Sequence, residues 1–170
     1  DLSLARTVLV SNSAPTATLV VPTQPILEGT VVSFGLVNPV DSVADSTDGF
    51  TYSFDLDGDG LFEIEEAVES LQALSLARSG IHQLGVKIRD KDGGVTVYQT
   101  TIDVQNVAPI VTSLQVPAME SQGVDVLITG TFTDPGDDEH FGTAVIERIG
   151  DNQVRTVAVT ILEGGLFQLN

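Results

Sequence analysis

The stretch Phe54 to Glu66, FDLDGDGLFEIEE, concentrates oxygen-bearing side chains at a regular spacing. Counted from Asp55, acidic residues occupy positions 1, 3, 5, 9 and 12, and a glycine stands at position 6. Carboxylates at this spacing around a turn-forming glycine are typical of a calcium-binding loop. The candidate ligands are the side chains of Asp55, Asp57, Asp59, Glu63 and Glu66 and the backbone carbonyl of Leu61.

The residues that flank the loop indicate which kind of fold carries it. In an EF-hand the loop joins two helices. Here the preceding segment 50–56 alternates apolar and polar residues at a period of two, which predicts a strand with one buried face. Leu74 and Leu76 alternate with the small residues Ser75 and Ala77 after the loop, and a Ser-Gly breaker follows them. We therefore expect the loop in a β framework rather than between helices.

The same residues allow an interpretation that needs no metal. Asp57-Gly58-Asp59-Gly60 has the composition of a hairpin turn, because Asp and Gly readily adopt the required backbone angles. Both interpretations remain open at the level of sequence.

The charge excludes some partners. The chain has 24 acidic and 7 basic residues and a net charge of −17, which disfavours nucleic acid and anionic membranes. Between Arg6 and Arg78 there is no Lys or Arg, whereas Glu28 and ten carboxylates from Asp41 to Glu69 lie in that interval. Solvation of an acidic surface explains such a run, and so does a divalent cation. There is no cysteine, and no apolar run is long enough to cross a membrane.

The sequence contains few of the residues and motifs that indicate an enzyme active site. The two histidines are His82, in a predicted strand, and His140, at the end of a loop. Phosphate-loop, nucleophile-elbow and HExxH patterns are absent from the sequence. Glu65 and Glu66 are adjacent and would point to opposite faces of a strand, so they cannot act together. We predict no catalytic residues and no enzyme.

An internal repeat divides the chain. Asn12-Ser13-Ala14-Pro15 recurs as Asn106-Val107-Ala108-Pro109, an offset of 94 residues. The repeat predicts the end strand of a preceding unit at 1–12, a complete β-sandwich at 13–106 and a partial second sandwich at 107–170. The start at Asp1 and the single Met119 suggest a piece of a longer polypeptide.

Turn signals separate short alternating runs at the spacing of a sandwich. In the complete repeat the predicted strands are 16–21, 30–36, 50–56, 61–65, 70–77, 82–89 and 95–105, with no helix. In the second piece they are 110–116, 125–132, 142–149 and 153–162. The predicted class is all-β, as tandem antiparallel sandwiches of which the second is incomplete.

Three segments resemble the PKD (polycystic kidney disease) domain family: FTYSFDLDGDG, SGIHQLGVKIRDKDGG and TTIDVQNVAP. The segment GTFTDPGDDEHFGTAVIERIGDN resembles the opening half of the same unit. This chain departs from the family in having Phe54 for a tryptophan, His82 for a later aromatic residue, and Gly150-Asp151-Asn152 for a Gly-Asp-Gly turn. The resemblance implies Ig-like modules arranged in tandem in secreted or cell-surface proteins, without catalytic activity of their own.

An Ig-like path predicts where the acidic loops lie. Asp55–Gly60 and the Asp134–Glu139 loop of the second unit would meet at one joint, and Asp41, Asp45, Asp48, Asp90 and Asp92 would share the opposite end of the first unit. We expect Ca²⁺ to neutralise these clusters and to stiffen a spacer or adhesion module whose partners are neighbouring repeats and a protein or polysaccharide ligand. The alternative function is a carbohydrate-binding accessory module of a secreted hydrolase.

Overall fold

The computed structural model describes residues 11–117, 126–147 and 154–169. These residues form thirteen strands and one short helix, and the runs of β-branched and aromatic residues account for the strands. The elements in chain order are β1 Thr16–Val20, β2 Ile26–Leu27, β3 Val31–Val40, α1 Val43–Asp48, β4 Thr51–Asp55, β5 Ile64–Ala67, β6 Leu71–Ser75, β7 Gly80–Arg89, β8 Val95–Gln105, β9 Ile110–Gln115, β10 Ile128–Thr133, β11 Gly142–Glu147, β12 Val154–Leu162 and β13 Leu166–Leu169.

The chain contacts define two compact units. The described part of the first comprises residues 11–26, Thr30–Ser75 and Gly80–Val104. The second comprises Leu27–Gly29, Leu76–Ser79 and the described residues from Gln105 onward. Two short segments of the complete repeat thus belong with the second unit, a division that the repeat alone does not reveal. The predicted domain boundaries stay a prediction from the repeat.

The first unit is a β-sandwich, which confirms the predicted fold class. One sheet has the strand order β1-β3-β6, and the other has the order β2-β8-β7-β4-β5. Phe34 of the first sheet and Phe54 of the second meet edge to face with their ring centroids 6.3 Å apart. Aliphatic residues from β3, β7 and β8 complete the core between the sheets: Leu36, Leu84, Val86, Ile88, Ile102 and Val104.

Several elements differ from the sequence prediction. The helix α1 was not predicted, and it begins because the Ser42 side chain accepts the N–H of Asp45 as a cap. The short strand β2 and the last strand β13 were also missed. Conversely, residues 61–63 belong to a loop, and β5 starts only at Ile64. Residues 1–10 of the end strand predicted at 1–12 lie outside the described residues, as do the Gly150-Asp151-Asn152 turn and the positions 125, 148, 149 and 153 of the predicted strands.

The second unit contains one five-stranded sheet of order β11-β12-β13-β10-β9. Its part β9-β10-β13 repeats the arrangement β1-β3-β6 of the first unit. The strands β7 and β8, which cover the core of the first unit, have no counterpart among the described residues of the second. An apolar groove of about 520 Å³ is left open there, lined by residues that include Val111, Phe132, Ile146, Val159 and Phe167.

Candidate metal site and its surroundings

The candidate site is the loop of eight residues between Asp55, which ends β4, and Ile64, which begins β5. Two glycines allow the chain to turn, because Gly58 and Gly60 have φ of 77° and 89°, where L-residues with side chains are strained. A Cβ at Gly58 would also lie 2.7 Å from that of Gln83, so the loop packs closely on β7. The loop is too long for a two-residue hairpin turn.

The buried side chain of Asp55 anchors the loop through two hydrogen bonds to its backbone. Its side chain is buried, its Oδ1 accepts the N–H of Gly58 at 2.7 Å, and its Oδ2 accepts the N–H of Gly60 at 3.1 Å. Asp55 is therefore held in place before any cation arrives.

The carboxylates of the other three acidic residues of the loop lie close to that of Asp55. Asp57 accepts the N–H of Asp59 at 3.1 Å, Asp59 accepts the N–H of Leu61 at 2.7 Å, and Glu63 reaches back to the N–H of Leu56. One carboxylate oxygen from each of Asp55, Asp57, Asp59 and Glu63 lies within 4.8 Å of the other three. Like charges at this separation repel, and a divalent cation bound among them relieves the repulsion.

The structure brings together four of the six predicted ligands. Leu61 lies in the loop and donates its N–H to Asp59, and its carbonyl as a ligand stays a prediction. Glu66 lies elsewhere: it has a φ of 52° at an irregularity in the β4–β5 pairing, and its carboxylate pairs with Arg89 at 2.9 Å. A register irregularity of this kind redirects a side chain, which a simple strand alternation does not foresee.

The loop covers the outer face of the larger sheet. Asp55 pairs with Gly85 of β7, and the absence of a side chain there leaves room for its carboxylate. The Nζ of Lys87 lies 4.2 Å from the centre of the Phe62 ring. Asp55 is therefore buried although it lies on the face that the period of two assigns to solvent. Ser53 lies on the same face, is also buried, and accepts the N–H of Glu66.

A polar groove lies beside the loop in the first unit. It has a volume of about 380 Å³ and is lined by Gly58, Gln83, Leu84, Gln99, Thr100 and Thr101. Sequence reasoning did not identify this groove, because its residues come from two strands and a loop and form no local motif. Its amides and hydroxyls offer both hydrogen-bond donors and acceptors.

The second acidic cluster of the first unit contains a cation from the chain itself. The Nζ of Lys91 lies 2.8 Å from Asp45, 3.9 Å from Asp48 and within hydrogen-bonding distance of Asp92. The predicted common location of the 41–48 loop and the 90–92 hairpin is confirmed. The single positive charge of Lys91 offsets part of the negative charge of these carboxylates, and Ca²⁺ at this end stays a prediction.

Two carboxylates of this end of the unit, those of Asp45 and Asp90, have lowered pKa values. Lys91 first, and then Ser42, lower the pKa of Asp45. Burial acts to raise the pKa of Asp90, but hydrogen bonds from the Asn12 amide and from the Gly94 and Asp92 N–H groups outweigh it, so that its pKa is also lowered. Lys91 in turn has a raised pKa, mainly because of Asp45.

The substitution Asp45→Asn is expected to lower the urea midpoint of the first unit at pH 7. Because the pKa of Asp45 is lowered in the folded chain, its carboxylate stabilises the fold at pH values above the ordinary pKa of 3.8. This stabilisation is lost as the pH falls through the lowered pKa. The difference between the midpoints of the variant and the unaltered chain should therefore shrink as the pH is lowered below 3.8. Urea titrations at pH 7 and at a series of acidic pH values test this, and a difference that does not change with pH would contradict it.

In the second unit, Asp134 and His140 form the remaining acidic site. The Nε2 of His140 lies 3.0 Å from Asp134 Oδ2, and Asp134 Oδ1 accepts the N–H of Gly136 at 2.8 Å. Asp137 pairs with Arg78 at 3.4 Å. The predicted meeting of this loop with the Asp55 loop stays a prediction.

No family model matches the chain, and no curated protein matches it. Among solved structures it is similar to carbohydrate-binding modules from the β-sandwich superfamily, with 18% identity, a TM-score of 0.45, and coverage of 79% of this chain and 58% of that one. It is also similar to SGBP-B of the Bacteroides ovatus mixed-linkage glucan utilization locus, solved with a mixed-linkage heptasaccharide. That match has 17% identity, a TM-score of 0.40, and coverage of 88% and 48%.

The chain thus spans little more than half the length of the first structure and less than half of the second. At these identities and TM-scores the two similarities do not define a function for this chain. No helix among the described residues is long and apolar enough to cross a membrane.

Proposed function

We propose that the chain is a non-catalytic β-sandwich module of a secreted or cell-surface protein, a structural spacer or adhesion module of the PKD type whose β4–β5 loop binds Ca²⁺. The observation that carries the proposal is the convergence of four carboxylates, from Asp55, Asp57, Asp59 and Glu63, within 4.8 Å. Their spacing in the sequence is that of a calcium loop.

The chemistry of the donors favours calcium. Ca²⁺ is a hard cation that takes six to eight oxygen ligands, and carboxylates and backbone carbonyls are its usual protein ligands. Extracellular modules commonly bind it at roughly 10⁻⁴ to 10⁻³ M, a range suited to a secreted or surface protein. The four carboxylates and the Leu61 carbonyl would supply part of the coordination, and solvent would complete it.

Bound calcium would act on the stiffness of the module. The loop joins the end of β4 to the outer face of the larger sheet through Asp55 and the Gly58–Gln83 contact. A divalent cation that reduces the repulsion among the four carboxylates would favour the ordered loop over open conformations in which the charges separate. A module with a fixed loop is the better spacer, and this is the role we assign to the metal.

Thermal unfolding in calcium and in chelator tests the proposal. Both tyrosines, Tyr52 and Tyr98, lie in the first unit, so tyrosine fluorescence follows the unit that carries the loop. For a dissociation constant of ~10⁻⁴ M, 10 mM Ca²⁺ stabilises the fold by about 2.7 kcal/mol. For a unit of this size, that corresponds to a Tm increase of about 10 °C or more.

The double variant Asp57→Asn, Asp59→Asn should lose this increase. A matched variant, Glu65→Gln, Glu69→Gln, removes two exposed carboxylates outside the group and should keep it. Mg²⁺ at the same concentration should give a smaller increase, because it demands a tighter octahedral geometry. Equal melting temperatures in calcium and chelator would overturn the metal assignment and leave the loop as a solvated turn.

The polar groove supports a second candidate, a carbohydrate-binding accessory module. The groove beside the loop presents Gln83, Gln99 and Thr101, whose groups can bond sugar hydroxyls. Sugar sites commonly add exposed aromatic rings, whereas each aromatic residue described in the first unit is buried or half-buried. Affinity electrophoresis in soluble polysaccharides separates the candidates: retardation that Gln99→Ala reduces and Val97→Ala does not would favour the carbohydrate-binding function.

A further inference from the structure

Glu28 of the second unit is an almost completely buried acid, with 2% of its surface exposed. Its Oε1 accepts the N–H of Val107 at 2.7 Å. Its Oε2 is buried and has no hydrogen-bond partner among the described residues. The carboxylate is thus satisfied on one oxygen only.

A buried carboxylate in this condition is unfavourable. A charge removed from water destabilises the fold unless it is paired or hydrogen-bonded, and buried polar atoms without partners are rare in folded proteins. Oε2 therefore marks a place where a positively charged group would stabilise the fold.

The turn that contains Asp134 lies against this carboxylate. A Cβ at Gly136 would lie between 2.5 and 2.8 Å from the carboxyl atoms of Glu28, so only glycine leaves room for the contact. The Gly136 N–H is bonded in turn to Asp134 Oδ1 at 2.8 Å, and the Asp134 side chain is only 5% exposed. Two buried acids therefore lie on either side of one glycine.

Backbone contacts fix this arrangement. The N–H of Asp137 donates to the carbonyl of Ala77 at 2.7 Å, and the N–H of Gly29 donates to the carbonyl of Leu76 at 2.9 Å. A Cβ at Gly29 would lie 2.9 Å from Pro135, which places the Glu28 segment directly on the turn. These contacts hold the Glu28 segment and the Asp134 turn against each other.

Two cationic side chains lie near this turn, and each contacts another atom. His140 contacts Asp134 Oδ2 at 3.0 Å, and Arg78 contacts the exposed Asp137 at 3.4 Å. Neither contact satisfies Glu28 Oε2.

We propose that the second unit contains its own divalent cation site, in which Glu28 Oε2 and the Asp134 carboxylate bind Ca²⁺ beside Gly136. Oxygen-only donors select a hard cation. The site shares no residue with the β4–β5 loop and does not depend on it.

Calorimetric titration of the full chain with CaCl₂ tests the site. The unaltered chain should bind two Ca²⁺ ions. The Glu28→Gln variant should bind one, at the β4–β5 loop, and the double variant Asp57→Asn, Asp59→Asn should bind one, at the Glu28 site. Gln keeps the acceptor for the Val107 N–H but removes the charge, so Glu28→Gln should melt at or above the temperature of the unaltered chain in chelator and below it in calcium. Asp134→Asn provides a second variant, which should also bind one ion.

The outcomes separate the two proposals. Unchanged stoichiometry in both Glu28→Gln and Asp134→Asn would overturn the second site, whatever the loop variant does. Loss of binding only in the loop variant would support the loop alone, and loss only in the Glu28 and Asp134 variants would support the second site alone.

Discussion

Replacing Asp55 by alanine is expected to lower the free energy of unfolding of the first unit by about 2–4 kcal/mol even in chelator. The carboxylate is 3% exposed and accepts the N–H groups of Gly58 and Gly60. Alanine leaves both donors without their charged acceptor in a partly buried position. Urea titration followed by tyrosine fluorescence measures the loss.

Asp57→Ala is the matched comparison. Asp57 is exposed and accepts a single N–H, that of Asp59, so its removal should cost less than about 1 kcal/mol in chelator. Both variants should lose the stabilisation by calcium. Equal losses for the two variants in chelator would show that Asp55 is not the anchor of the loop.

Replacing Phe54 by alanine is expected to cost about 3–5 kcal/mol, the range for deleting a large buried aromatic side chain. Phe54 is fully buried and packs against Phe34 between the two sheets. A loss of this size is a large fraction of the stability of a small domain, so the Tm should fall by 10 °C or more. Thermal melting by far-ultraviolet circular dichroism checks the result.

Ile81→Ala serves as the control for the core. Ile81 lies on β7 but is 68% exposed, and its truncation should change the free energy of unfolding by less than about 0.5 kcal/mol. A loss below about 1 kcal/mol for Phe54→Ala would mean that the two sheets do not share the core described above.

The strands and their buried faces could be predicted from the sequence in most cases. Leu84, Val86 and Ile88 alternate along β7, and all three are buried as the period of two indicates. The same rule failed for β4, where Asp55 is buried on the face assigned to solvent. The loop covers that face, and the cover depends on contacts with β7 that no local pattern records.

The carboxylates of the β4–β5 loop also include both a correct prediction and a miss. The spacing of Asp55, Asp57, Asp59 and Glu63 predicted a group of carboxylates, because neighbouring residues in one tight loop must lie close together. The same spacing also included Glu66, which the irregular pairing of β5 turns toward Arg89.

The sequence by itself determined the all-β class, the repeat, and the carboxylate loop, since these depend on periodicity and on short-range spacing. Only the tertiary structure decided that Lys91 pairs with Asp45 and that Glu28 lies buried against the turn that carries Asp134. These contacts join segments far apart in the chain. Their geometry follows from how the strands pair and pack. That packing determines which charged side chains are removed from water and therefore which of them need a partner of opposite charge.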